Sequence, residues 1–194
     1  MPSLAACTLL DGNLTIDCAD PIQGGVEDLL YLANKDDIDT VTRDGTNPLI
    51  VTGITLKSGA SLYKVEGQNN SHNTKWERVK LAYSVVYNHS VDFVGFDLSS
   101  AAKARYEKIS KGRLVAFVVN NYKGTNGDAA IDIFGLDAGM ECSSMSRDAG
   151  SADTQGAVPI TLSTPEKGKE PHIAATLYTG ASYANSLAVL EGLL

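Results

Sequence analysis

Residues 114–133 read LVAFVVNNYKGTNGDAAIDI, and the architecture of the chain is read outward from them. Leu114 to Val119 is apolar at every position, which marks a strand covered on both faces, because a strand with one wet face alternates. Asn120 to Asp128 then brings Gly124 and Asn126-Gly127, residues that accept positive φ and so close a turn. Ile131 and Ile133, two apart, begin the antiparallel return. A strand buried on both faces needs a layer over each. The stretch therefore predicts the centre of a core, with a helix on one side and an opposing sheet on the other.

The helix lies just upstream. Leu98, Ala102, Tyr106 and Ile109 recur at spacings of four, four and three, so one stripe is apolar while Lys103, Glu107 and Lys111 point away. Ser99 or Ser100 can cap its first amides, and Gly112 supplies a left-handed residue to end it. Further back, Val26 to Ala33 reads as the first core strand, and the Asp-rich stretch Asn34 to Asn47 as a solvent-facing loop. Ile50, Ile54 and Leu56 mark a second strand, Tyr63 and Val65 a third, and Gln68 to Thr74 a polar loop. Val79, Leu81, Tyr83, Val85 and Tyr87 alternate with Lys80 and Ser84, which predicts one half-buried strand, a turn at Asn88 to Ser90, and a further strand at Val91 to Phe96.

Downstream, Gly135, Gly139 and the small residues from Ser143 to Gly150 weaken the second arm of the central hairpin and predict a bulge or excursion. Val158, Ile160 and Leu162 form the next strand. After the charged turn Pro165 to Pro171 comes a last one at Ile173 to Leu177. The pattern as a whole predicts a mainly β protein, an antiparallel β-sandwich or barrel with one flanking α-helix at about residues 99–111. The chain divides into an N-terminal arm (1–25), a β-sandwich domain (26–178) and a C-terminal tail (179–194), weakly amphipathic, which a partner would order.

Composition limits the function. In 194 residues, 16 Lys and Arg stand against 23 Asp and Glu, a net charge of -7. Such a surface repels nucleic-acid phosphates, which are bound by cations that displace counterions. The one basic cluster, Lys103, Arg105, Lys108, Lys111 and Arg113, reads as a solvated helix face. No apolar run exceeds six residues, against the roughly 20 that a membrane-spanning helix needs. Residues 1–10 have no Lys or Arg ahead of their short apolar patch, so a secretory signal is not expected and an intracellular origin is. Three cysteines, an odd number, suit a reduced compartment, although Cys7 and Cys18 are close enough to pair across a hairpin at Gly12-Asn13.

No pattern of reactive residues points to catalysis. His72, His89 and His172 are far apart in sequence, without the spacing by which one element presents two metal ligands. Gly59-Ala60-Ser61 and Gly180-Ala181-Ser182 lack the second glycine of a nucleophile elbow. Gly124 to Gly127 is followed by an Asp and a strand, not by a Lys and a helix that would hold phosphate. Asp132 and Asp137 are the best acidic candidates for a carboxylate pair, but polar positions on an exposed strand face explain them far better. The reading is therefore no catalytic, cofactor or metal residues, with a hydrolase of dispersed carboxylates and a carbohydrate-binding or adhesive sandwich module as alternatives. The sequons at Asn13, Asn69 and Asn88 count only in a secreted protein.

From Gly24 to Pro171 the order of elements carries "GGVEDLLYLANKDDI" (24–38), the buried strand and its glycine turn, "FGLDAGME" (134–141), "SRDAGSADTQG" (146–156) and "AVPITLSTPEKGKEP" (157–171). This order resembles tail structural proteins of tailed bacteriophages, in particular tail tube or tail ring subunits from phages of Bacteroides-like hosts. The resemblance implies a virion protein, made in the bacterial host cytoplasm, that self-assembles into a homo-oligomeric ring, usually of six, with neighbouring tail proteins stacked on it. It implies no membrane partner and a conduit through which double-stranded DNA passes without specific binding. An acidic lumen suits that passage. The loops Asn34 to Asn47 and Gln68 to Thr74 and both termini would make the stacking contacts.

Overall fold

The computed structural model describes residues 12–15, 18, 20–180 and 182–194. The chain is mainly β. Its strands are β1 (Val26–Asn34), β2 (Ile38–Arg43), β3 (Ile50–Leu56), β4 (Tyr63–Glu66), β5 (Asn73–Lys80) and β6 (Val85–Gly95). After helix α1 (Ser100–Lys111) come β7 (Arg113–Asn120), β8 (Ile131–Phe134), β9 (Met140–Met145), β10 (Val158–Ser163) and β11 (Ala175–Leu177), then helix α2 (Tyr183–Glu191). They form one open mixed sheet in the order β2-β3-β11-β8-β7-β9-β10-β6-β5, with β1 on the other edge of β7 and β4 beyond β1. Neighbours pair antiparallel except β3 and β11, which are parallel.

The central strand behaves as its composition requires. Val115 to Val119 are fully buried, and their two faces feed two cores. One face sends Val115, Phe117 and Val119 against Tyr31, Ile133, Leu177 and Leu190. The other sends Leu114, Ala116 and Val118 against Val91, Phe93, Ile160 and Leu162 of β6 and β10. Those strands are not β7's neighbours in the sheet, so the sheet doubles over at β9 and closes a sandwich-like core. Helix α1 joins this second core through Tyr106 and Ile109, and Leu98, just ahead of its cap, packs there as well. The helix over the first face is α2, not α1: Leu190 is fully buried there, with Leu187 and Tyr183 packed beside it. Through α2 the C-terminal tail thus folds onto its own domain.

The expected excursion falls between β8 and β9. Ala116 pairs with Phe134, and two residues back along β7 Leu114 pairs with Met140, so residues 135–139 loop out of what is otherwise one strand along β7. Four further expectations are corrected. Val79 to Tyr87 is not one strand: the chain reverses at 81–84, where the Leu81 amide donates to the Ser84 carbonyl, and β5 and β6 pair back to back. Asn88 to Ser90 is not a turn but the interior of β6. The stretch Asn34 to Asn47 contains β2, a strand whose Asp39, Thr40, Thr42 and Arg43 read by composition as loop. Gly112 ends α1 in extended conformation (φ -88°), while Ser99 caps its start by accepting from the Ala102 amide at 3.1 Å.

Gly127 (φ +79°) fixes the seat of α2, because a Cβ there would collide with the Tyr183 backbone nitrogen. Gly127→Ala is expected to cost at least about 1–2 kcal/mol, from the left-handed backbone and the lost docking together. Hydrogen exchange of residues 183–191 should accelerate relative to β7. Unchanged protection of α2 would show that the contact does not hold the helix.

Candidate assembly surface

The five alternating apolar residues that predict a half-buried strand are mostly not buried. From His89 onward β6 lies over the core, with His89, Val91 and Phe93 at most 2% exposed. Before it, β5 and β6 leave the domain as a two-stranded ribbon. Trp76 is 48% exposed, Leu81 47%, Val85 40%, and Tyr83 at the tip is fully exposed. Cross-strand register puts Trp76 opposite His89, Arg78 opposite Tyr87 and Lys80 opposite Val85, so these six share one face. It is the core-facing surface of β6 continued past the edge of the core. Trp76 and Tyr87 meet edge to face, centroids 6.2 Å apart. A two-stranded ribbon alone is marginal in water, and this one holds its apolar side chains over solvent.

The root of the ribbon is fastened by a buried polar cluster. His89 Nε2 donates to the His172 carbonyl at 3.0 Å, and Nδ1 accepts the Gly135 amide at 3.2 Å, which fixes a neutral imidazole. Burial holds its pKa down at about 4. Phe134 abuts the ring edge to face. Glu170, 1% exposed, accepts the amides of Asp137 and Ala138 at 3.1 and 2.8 Å, and burial pushes its carboxyl above the usual range. Its backbone bridges Tyr87 in both directions. Asn88 Oδ1 accepts from Thr164 Oγ1 and Lys169 Nζ. One cluster thereby ties the ribbon, the 135–139 excursion and the 164–172 segment together.

At the opposite end of the strand order, β2 pairs among the described residues with β3 alone, and register shifts at Ile38/Thr40 and Thr42/Arg43 leave Thr40–Thr42 as its regular part. Its margin is acidic: Asp36, Asp37, Asp39 and Asp44 accompany Lys35 and Arg43. Arg43 Nη2 is itself held by both Asp137 oxygens, at 2.9 and 3.1 Å.

Asp132 and Asp137 have separate partners. Asp132 accepts from Asn120 at 2.9 Å and from Thr176, with its carboxyl raised by burial, whereas Asp137 is paired with Arg43. Two depressions border α1, of about 310 Å³ beside Tyr106 and Met145 and about 400 Å³ beside Lys108. The carboxylate lining both is Glu107, which Lys111 pairs; Arg113 is likewise paired, with Glu141. The loop Gln68 to Thr74 is fastened down, since Asp28 accepts the Asn70 and Ser71 amides at 3.0 and 2.8 Å. No group of three His, Cys, Asp or Glu among the described residues is placed to hold a metal ion. Among the described residues, no helix is long and apolar enough to cross a membrane. Cys18 and Cys142 carry free thiols, and Cys7 lies outside the described residues, as does most of the arm 1–25.

No protein-family model matches this chain, no curated protein does, and no solved structure does. Sequence reasoning missed the ribbon because alternation reports that a face is apolar, not what covers it. The Ala82-Tyr83-Ser84 turn lacks the Gly, Asn or Pro that would announce a reversal.

Proposed function

We propose that this chain is a non-enzymatic structural subunit that associates with copies of itself into a ring or tube. The observation that carries the reading is the β5–β6 ribbon, whose Trp76, Leu81 and Val85 stay about half exposed and whose Tyr83 is fully exposed among the described residues. A second copy would bury that face and complete the open margins of the sheet. The resemblance to phage tail proteins supplies the finer setting: a virion tail component, made in the host cytoplasm, with neighbouring tail proteins above and below and DNA sliding through an acidic bore. The net charge of -7 suits that bore.

Light scattering on the purified chain, with electron microscopy of the same sample, is expected to show closed rings or stacked tubes. A chain that stays monomeric at high concentration overturns the reading. Leu81→Ser with Tyr83→Ser should abolish assembly while shifting stability by no more than about 0.5 kcal/mol, because neither side chain supports the core. The exposed aromatics also favour a second reading, a carbohydrate-binding module, in which Trp76 and Tyr83 stack on sugar rings. A monomer that binds a glycan array and loses that binding in Trp76→Ala would establish it.

A further inference from the structure

The ribbon and the β2 margin stand at the two ends of the strand order, and their charges are opposite. Among residues 73–85 the ribbon carries three cations against one carboxylate; Glu77 pairs with Lys75 at 2.6 Å, which leaves Arg78 and Lys80, on the Trp76 face, in excess. The segment 35–44 carries four carboxylates, Asp36, Asp37, Asp39 and Asp44, against two cations, and one of these, Arg43, is already engaged by Asp137. Resting on the self-association reading, we infer that the basic β5–β6 ribbon of one copy docks against the acidic β2 margin of the next.

Three features select this pairing. Ribbon against ribbon would set Arg78 and Lys80, which share the Trp76 face, beside their own images, and like charges facing across strands are destabilising. The β2 margin against itself would do the same with Asp36, Asp37 and Asp39. Beneath its charges, the β2 margin also offers apolar ground to Trp76 and Tyr83, since Ile38, Val41 and Leu56 are only partly buried where they pack on the core. The bulges in β2 shorten its free ladder, so side-chain contact and charge, rather than a long run of backbone pairing, set the register. Because the two surfaces differ, the contact is head to tail, and each copy that docks leaves a fresh ribbon or margin free. Such a contact closes into a ring or runs on as a filament according to the rotation between copies.

The test uses the full chain with Cys7, Cys18 and Cys142 replaced by serine, carrying either Thr40→Cys on the β2 margin or Arg78→Cys on the ribbon, one of the two tagged. Mild oxidation of the mixture is expected to yield a cross-linked pair containing one of each, whereas either variant alone stays uncross-linked. A chain carrying both should give a ladder of covalent oligomers. Reversing the ribbon with Lys75→Glu, Arg78→Glu and Lys80→Glu should abolish assembly, and Asp36→Lys with Asp39→Lys in the partner should restore it. Arg78→Cys cross-linking to itself, or no restoration by the reversed partner, overturns the pairing. Light scattering separates the two levels. Oligomers without the mixed cross-link mean that other surfaces meet while self-assembly stands; a monomer in every condition removes both.

Discussion

Replacing Phe117 by alanine is expected to lower the unfolding free energy by about 3–5 kcal/mol, the range for truncating a fully buried phenylalanine. Phe117 sits at the middle of β7 with no solvent exposure, paired across the sheet with Tyr31 of β1 on one edge and Ile133 of β8 on the other. Its ring faces the core that α2 closes with Leu190. Three strands and a helix therefore converge on the space it would vacate. The strands are held by ladders on both sides of β7, so collapse into the cavity is limited and the cavity cost stays high. A domain of this size has about 5–15 kcal/mol in total, so the variant should stand near the edge of folding. Urea unfolding would show a lower midpoint at unchanged slope. A loss below about 1 kcal/mol would mean that β7 is not the packing centre. Tyr83→Ala, at the far end of the ribbon, should leave the midpoint where it is.

The contrast between Phe117 and Tyr83 also marks how far the residues alone could be read. The run Leu114 to Val119 admits one interpretation, because six consecutive apolar side chains have to be dry on both faces. The helix at Ser100–Lys111, with Ser99 as its cap, follows from a local periodicity that no tertiary contact contradicts. Alternation at Val79 to Tyr87 carries less information. It states that one face avoids water but not whether this chain or another covers it, and it does not register a reversal made without glycine. Strand β2 was hidden for the opposite reason. Its Asp and Thr residues look like loop, and its strand conformation comes from pairing with β3, a contact between partners whose charges and sizes give no local signal. His89 and Glu170, far apart in sequence, belong to one buried cluster only after β6 and the 164–172 segment lie side by side. The features on which the proposed assembly rests are thus the ones set by long-range topology.

That buried cluster should make the protein acid-sensitive. His89 has a pKa of about 4 in the fold, against about 6.5 for an exposed imidazole, because burial disfavours the charged ring and both ring nitrogens are engaged in the neutral form. The unfolded chain therefore binds the proton more readily. Stability is complete above pH 6.5 and falls as pH drops toward 4, by about 2 kcal/mol at pH 5 and about 3 kcal/mol at pH 4. Glu170 works the other way. Its carboxyl is raised in the fold, so its contribution grows as pH falls and masks part of the loss. His72, buried and also lowered, adds to the loss. Subtraction isolates His89: His89→Gln can still donate to the His172 carbonyl and accept the Gly135 amide, but it has no proton to gain. Urea midpoints at pH 7.5 and 5 should separate the two proteins by a further 2 kcal/mol or so at the lower pH. Because His89 is where the ribbon joins the core, hydrogen exchange in residues 75–88 should rise over the same interval in the parent and not in the variant. Parallel pH profiles for the two would mean that the imidazole is already exposed in the fold and that the cluster does not anchor the ribbon.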